Sequence, residues 1–174
     1  DPIRPAMALD VSRFVTPDGI ETDVLDDLIS AAMDEHGDAL TLVPCGLSAA
    51  LLGLGLKYDG DTSANVNALL KLLLSVGKGS SLTMMYADNL ELAPRSSRKS
   101  KRVVDLAIIP LSAKALANFQ PATLGRQPVS SFIELEEGDT PTLSLMARIG
   151  LARRAPEILP TLLSEIDSAA DLEL

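Results

Sequence analysis

Apolar and polar residues recur along this chain with two periods, one typical of helices and one typical of strands. In ETDVLDDLISAAMDEHG (21–37) the apolar residues recur at helical spacing, Thr22 is a suitable N-cap, and Gly37 stands where helices commonly end. A second helix is predicted over ANVNALLKLLLSV (64–76), with caps offered by the polar residues before it. Two further helices are predicted, a loose one over 46–56 and a short one over 112–119.

Short apolar or alternating runs predict the strands. They are ALTLV (39–43), SLTMMYA (81–87), RVVDLAII (102–109) and VSSFIELEE (129–137). LELA (90–93) follows the second run closely enough to form a hairpin with it.

The last third of the chain has a helical character. In TPTLSLMARIGLARRA (140–155), Thr140 is predicted as the N-cap and Pro141 as the first helical residue, where proline is favoured. A final helix, interrupted by Pro160, is predicted to follow and to fray at its acidic end.

The order of these elements predicts an α/β domain with a mixed sheet of about four or five strands, flanked by helices and followed by a helical C-terminal extension. The predicted divisions are an α/β core over 8–137 and a helical tail, able to move, over 138–174. Residues 1–7 are predicted to be an added or processed segment, because Asp1 is not an initiator residue and Met7 is a candidate start.

Composition narrows the functional classes. Apolar residues make up 47% of the chain, enough for a core, whereas two Tyr, three Phe and no Trp argue against aromatic platforms for single-stranded nucleic acid. A net charge of −9 argues against wholesale binding of DNA or RNA. The longest apolar run, GLSAALLGLGL (46–56), is too short to span a bilayer, so no membrane contact is predicted.

Positive charge is nevertheless concentrated in RSSRKSKR (95–102). This basic segment is either a solvated loop, whose serines suit phosphorylation, or a docking strip for RNA, phosphate or an acidic partner. The candidate binding residues in it are Arg95, Arg98, Lys99, Lys101 and Arg102. A second, smaller cationic group is predicted in the C-terminal region and comprises Arg148, Arg153 and Arg154.

Candidates for catalysis are few. Cys45 follows a predicted strand and precedes a predicted helix, a position that can lower a thiol pKa, and His36 is the single histidine that could act as its base. A buried structural cysteine is the alternative. Lys114 could serve a serine as a base if it were desolvated, whereas the Ser96–Lys99 pair lies in a segment too hydrated for that.

No metal and no cofactor is predicted. One histidine and one cysteine cannot build a cysteine-rich zinc site, and the Asp59–Asp61 turn lacks the remaining calcium ligands. The single cysteine also excludes an internal disulfide and is typical of a reducing compartment.

In size from Met7 to Leu174, and in its acidic, Ala- and Leu-rich composition, the chain resembles the minor core proteins of double-stranded RNA bacteriophages, the cystoviruses. The resemblance implies a protein that assists procapsid assembly and genome packaging, associates with the polymerase core and contacts RNA. It also implies a location in the virion core or the host cytoplasm. The basic segment 95–102 is the natural candidate for the RNA contact.

The function predicted is that of a non-enzymatic viral core or assembly protein, forming a homodimer and binding other protein subunits and RNA. Two alternatives stay open: a regulatory module that binds phosphate or nucleic acid, and a cysteine or Ser–Lys hydrolase.

Overall fold

The computed structural model describes most of the two ends of the chain and shorter stretches between them. The described residues are 6–36, 39–58, 64–76, 84–85, 90–91, 103–106, 113–119, 121, 123, 128–129, 131–135 and 141–170.

The strands and helices alternate along the chain. The strands are β1 (Ala6–Asp10), β2 (Val15–Thr16), β3 (Gly19–Ile20), β4 (Ala39–Cys45), β5 (Met84–Met85), β6 (Leu90–Glu91), β7 (Val103–Leu106), β8 (Ile133–Leu135) and β9 (Pro141–Leu143). The helices are α1 (Thr22–His36), α2 (Leu47–Gly53), α3 (Ala64–Val76), α4 (Ala113–Phe119), α5 (Leu145–Arg154) and α6 (Leu159–Ala170), and a 3₁₀ turn (Val11–Phe14) joins β1 to β2.

A parallel sheet lies at the centre, with β4 between β1 and β7. The register sets Ala6 of β1 opposite Thr41 of β4, and Asp10 opposite Cys45. Since parallel strands end at the same edge, Asp10 and Cys45 lie together at the carboxyl edge of the sheet. The side chains of Leu40 and Leu42 in β4 are fully buried, as expected of a central parallel strand.

Helices cover this sheet and complete the core. In α1 the buried residues recur at helical spacing and are Leu25, Ile29, Ala32 and Met33. Val24 and Leu28, which belong to the apolar residues predicted at helical spacing in 21–37, are exposed. Val66, Leu70 and Leu73 of α3 and nearly all of α2 are buried as well. The core also includes Met146 and Ile149 of α5.

The end of α2 is defined by the glycine that follows it. Gly55 adopts a left-handed conformation, its N–H donates to the Leu52 carbonyl, and the Leu56 N–H donates to the Leu51 carbonyl. These are the two hydrogen bonds of a Schellman motif, in which glycine is favoured because it has no Cβ. The chain therefore leaves α2 in a fixed direction.

The predicted α/β class is confirmed, although the strands are distributed differently from the expectation. Among the described residues they form one parallel sheet of three strands and three antiparallel pairs, β2–β3, β5–β6 and β8–β9, rather than one mixed sheet. The expected hairpin between 81–87 and 90–93 is present as β5 and β6. In the described residues no helix is long and apolar enough to cross a membrane.

Two local expectations change near the ends of the chain. Pro141 lies in β9 rather than in a helix, and α5 begins at Leu145, with the Ser144 hydroxyl accepting a hydrogen bond from the Ala147 N–H at 3.3 Å. The predicted division between 137 and 138 falls between β8 and β9, and β1 begins inside the segment 1–7, while the division into domains stays a prediction.

Candidate interaction site

A buried carboxylate organises the carboxyl edge of the parallel sheet. Asp10 is 4% exposed, and its Oδ1 accepts hydrogen bonds from the Ser12 N–H at 3.1 Å and the Ser12 hydroxyl at 2.6 Å. Its Oδ2 lies 3.6 Å from Nε of Arg13. Burying a carboxylate is costly unless it is hydrogen-bonded or paired, so these contacts are what allow Asp10 to remain in the interior.

The start of α2 is fitted around this carboxylate. Gly46 has φ +67°, and a Cβ at this position would overlap Oδ1 of Asp10. The Gly46 N–H donates to the Thr123 carbonyl at 2.7 Å, and the Ser48 hydroxyl donates to Oγ1 of Thr123 at 3.1 Å. Thr123 therefore ties the segment after α4 to the beginning of α2.

Arg13 joins a further element to the same edge. Its guanidinium lies 5.7 Å from the centroid of the Phe119 ring, and its Nη2 donates to the Phe119 carbonyl at 3.4 Å. Cation–π contacts of this kind contribute on the order of 0.5–1 kcal/mol at exposed sites. The C-terminal end of α4 is thereby held beside Asp10 and the 3₁₀ turn.

A cleft of about 380 Å³ lies between this edge and the β8 strand. Its polar lining includes Asp10, Ser12 and Thr123 on one side and Ser131 on the other, and its apolar lining includes Leu52 and Met146. A volume of this size is within the range of ligand clefts, whose lining is commonly apolar with a few placed polar groups.

Exposed apolar side chains are concentrated beside the cleft, on β8 and at the start of α5. Phe132, Ile133, Leu135 and Leu145, which together we call the ribbon surface, are 55%, 47%, 66% and 59% exposed. Ile133 and Leu135 share one face of β8, and the alternation of the strand places Phe132 on the other. Clusters of exposed apolar side chains commonly mark sites of contact with other proteins.

Cys45 lacks the environment of a nucleophile. It is buried, its thiol donates a hydrogen bond to the Leu9 carbonyl at 3.4 Å, and desolvation, followed by the charge of Asp10, raises its pKa to about 12. A thiol with so high a pKa carries very little thiolate at neutral pH. His36 precedes the amino end of β4 and Cys45 ends it, so the strand separates them by roughly 20 Å.

The other catalytic and metal candidates are also placed by the structure where it describes them. Lys114 is exposed on α4, so it lacks the desolvated surroundings that a general-base lysine requires. Ser96, Lys99 and Asp59–Asp61 lie outside the described residues. Within the described part of the chain, no three His, Cys, Asp or Glu residues come together to hold a metal ion.

The predicted cationic residues have different positions. The basic segment 95–102 lies outside the described residues. Arg148 is partly buried in α5, whereas Arg153 donates from Nη1 to the Pro17 carbonyl at 2.7 Å and Arg154 donates from Nε to the Gly55 carbonyl at 2.8 Å. The last two thus attach the end of α5 to the β2–β3 turn and to the end of α2, and binding of RNA or a partner by any of these residues stays a prediction.

Sequence reasoning did not identify Asp10, Ser12 or Ser131. A usable signal for the first two is the apolar run of AMAL ending in Asp-x-Ser, a pattern typical of a strand that runs into a turn capped by its own side chains. Nothing local in the sequence indicates that this turn meets Gly46 and Thr123.

Comparison with known proteins gives no match to this chain among family models, curated proteins or solved structures. The resemblance to the cystovirus minor core proteins therefore stays a prediction.

Proposed function

We propose that this protein is a non-enzymatic interaction subunit of a larger assembly, and that it self-associates through the ribbon surface. The observation that carries the proposal is the concentration of four exposed apolar side chains, Phe132, Ile133, Leu135 and Leu145, on and beside a two-stranded hairpin.

The hairpin gives these side chains little cover of its own. An isolated pair of strands is only marginally stable in water, and all three residues of β8 are exposed. Burial of apolar surface contributes about 25 cal/mol per Å², so side chains of this size favour association when a second surface covers them. A second copy of the chain is the simplest partner, because symmetric dimers are the commonest oligomers.

The wider role we propose is the one that the resemblance implies: an assembly and packaging protein of a viral core, which binds other protein subunits and, through 95–102, RNA. It would act in the virion core or the host cytoplasm. The buried, protonated thiol of Cys45 weighs against a cysteine hydrolase. A phosphate- or nucleic-acid-binding regulatory module is the remaining alternative, and the RNA experiment below bears on it.

Replacing Leu135 by aspartate should weaken self-association at least about tenfold, because the charge would have to be desolvated in the contact. Multi-angle light scattering over a range of protein concentrations measures this as a shift of the monomer–dimer midpoint. The double variant Phe132→Ser with Leu135→Asp should shift the midpoint further.

The matched control is Val24→Asp, a substitution on α1 at a residue that is 51% exposed. It should leave the midpoint unchanged while adding the same charge. If the wild-type protein is monomeric at all concentrations, or if both substitutions have the same effect, the ribbon surface is not the site of self-association.

Replacing Arg98, Lys99, Lys101 and Arg102 by glutamine should flatten the salt dependence of RNA binding. Each phosphate contact contributes about 0.7–0.9 to the slope of log K against log salt, so the loss of four contacts should reduce the slope by about 3. Fluorescence anisotropy with a labelled RNA at several salt concentrations gives this slope. Equal slopes for the wild type and the variant would exclude 95–102 as the RNA contact.

A further inference from the structure

The hydrogen-bonding direction of β8 follows from its pairing with β9. Ile133 lies opposite Leu143, Glu134 opposite Thr142 and Leu135 opposite Pro141, and the Ser144 N–H donates to the Phe132 carbonyl at 2.8 Å. In an antiparallel pair, hydrogen-bonded and non-hydrogen-bonded positions alternate. Because Phe132 bonds across to Ser144, Glu134 is the next bonded position, and the backbone groups of Ile133 and Leu135 point away from β9.

Pro141 agrees with this assignment. Proline has no N–H, and its place opposite Leu135 is a position at which no hydrogen bond to β8 is required. The outer edge of β8 therefore presents the N–H and C=O groups of Ile133 and Leu135.

The side chain of Ser131 covers part of this edge. Its hydroxyl accepts a hydrogen bond from the Ile133 N–H at 3.1 Å and donates one to the Ile133 carbonyl at 2.8 Å. One side chain two residues away thus satisfies both backbone groups that a neighbouring strand would bind. Proteins commonly protect exposed strand edges, because an open edge is a template for another strand.

The cleft shares residues with this edge. Ser131, Ile133 and Glu134 all line it. Ser144 and Leu145, which follow β9, line it as well, so the cleft adjoins the part of the hairpin where β8 begins. A segment added at the outer edge of β8 would therefore contact residues that also line the cleft.

We propose that the outer edge of β8 is a docking site for an extended segment of a partner protein, which adds to the hairpin as a third strand and displaces the Ser131 hydroxyl. This inference deepens the proposed function, on which it rests for the idea that the protein binds other subunits. Strand addition draws its affinity from main-chain hydrogen bonds and its specificity from alternate side chains.

The side chains of β8 indicate which residue types the docked segment needs. Ile133 and Leu135 share one face and favour apolar residues beside them, whereas exposed Glu134 on the other face favours a lysine or arginine between those apolar residues. A second copy of β8 fits poorly as the added strand, because pairing of the two edges would place Glu134 beside Glu134 of the other copy, whereas packing of the Ile133 and Leu135 faces against each other leaves these charges apart.

The test uses a fluorescein-labelled peptide, Thr-Val-Lys-Val-Thr, with free termini blocked, and its counterpart with glutamate in place of lysine. Fluorescence anisotropy with the intact protein should show binding of the lysine peptide and at least tenfold weaker binding of the glutamate peptide. Replacing Glu134 by lysine should reverse this preference.

Ser131→Ala supplies the sharper readout. Removing a competing hydrogen bond should tighten binding of the lysine peptide about fivefold, whereas damage to the hairpin would weaken it. Ile133→Pro removes the outward N–H without removing a bond to β9, and it should abolish binding, while Ile133→Ala should weaken it only a few-fold. Binding that is indifferent to peptide charge, or unchanged in both Ser131→Ala and Ile133→Pro, would overturn the docking site.

The two proposals fail separately. If the peptide binds as described but Leu135→Asp leaves the oligomeric state unchanged, strand docking stands and self-association through the ribbon surface falls. If the dimer is disrupted by Leu135→Asp but peptide binding is unchanged in both Ser131→Ala and Ile133→Pro, the ribbon surface stands and strand docking falls.

Discussion

Replacing Gly150 by alanine should destabilise the protein by about 1–3 kcal/mol, although alanine is the better helix former by about 1 kcal/mol. Gly150 lies in α5 where the helix crosses α2, and a Cβ there would overlap the carbonyl oxygen of Leu52 and lie 3.1 Å from its carbonyl carbon. Because these atoms belong to the backbone, they cannot rotate away as a side chain would. The two helices would have to separate.

Separating α2 from α5 would also disturb the packing on the α2 side of their contact. A Cβ on Gly53 of α2 would lie 2.8 Å from Sδ of Met146 and 2.9 Å from Cγ1 of Val15, so the crossing is tight there as well. Met146 and Leu52 also line the cleft. The prediction therefore concerns the shape of the candidate site as well as the stability of the core.

Urea unfolding of Gly150→Ala, followed by circular dichroism, measures the change in the free energy of unfolding. The control is Ala152→Gly, an exposed position in the same helix, which should cost about 1 kcal/mol through helix propensity alone. If Gly150→Ala instead stabilises the protein by as much as Ala152→Gly destabilises it, α2 and α5 do not cross as closely as described.

The helices and strands could be predicted where a single segment contains its own signal. The helix expected over 64–76 is α3, and the strand expected over 39–43 lies within β4, because in both cases apolar spacing decides the burial. β1 was not predicted. Its five residues become a strand through pairing with β4, and that pairing is not visible in AMALD alone.

The start of α5 shows a competition between local and distant effects. Thr140 and Pro141 form a good helix start locally. Pairing with β8 instead extends 141–143 as a strand and buries Leu143, which moves the cap to Ser144. Burial of a leucine contributes about 1.5–3 kcal/mol, enough to outweigh a difference between two caps of about 1 kcal/mol.

The candidate site was the least predictable part, for a related reason. Asp10, Gly46 and Thr123 come from distant parts of the chain, and they meet only because parallel strands end at a common edge. Cys45 was singled out from sequence by the same strand end, but burial beside Asp10 keeps its thiol protonated. The presence of a cysteine at a strand end was therefore a poorer guide to catalysis than the burial and the charge around its thiol.

Replacing Gly46 by alanine should destabilise the protein by about 2–5 kcal/mol. The left-handed conformation at φ +67° costs a residue with a Cβ roughly 1–2 kcal/mol. The Cβ would also displace the carboxylate of Asp10, whose bonds to Ser12 would be strained or lost at a further cost of about 1–3 kcal/mol. The free energy of unfolding in urea is again the measurement.

A double-mutant cycle separates these two costs. In the background of Asp10→Ala the carboxylate is absent, so Gly46→Ala should cost only the roughly 1–2 kcal/mol of the backbone conformation. The difference between the two backgrounds is the coupling between residues 46 and 10, and it should be about 1–3 kcal/mol. Should Asp10→Ala fail to fold, Asp10→Ser is the milder change, because it removes the carboxylate but keeps a hydroxyl near Ser12.

Additive effects within about 0.5 kcal/mol would show that Gly46 is required for its backbone conformation alone. Strong coupling would instead identify the carboxylate of Asp10 as the group around which the first turn of α2 is built. Because the Gly46 N–H also bonds to Thr123, that result would make the same carboxylate responsible for holding Thr123 against the cleft. The cycle therefore tests whether the contacts of Asp10 fix the side of the cleft opposite β8 in the absence of a partner.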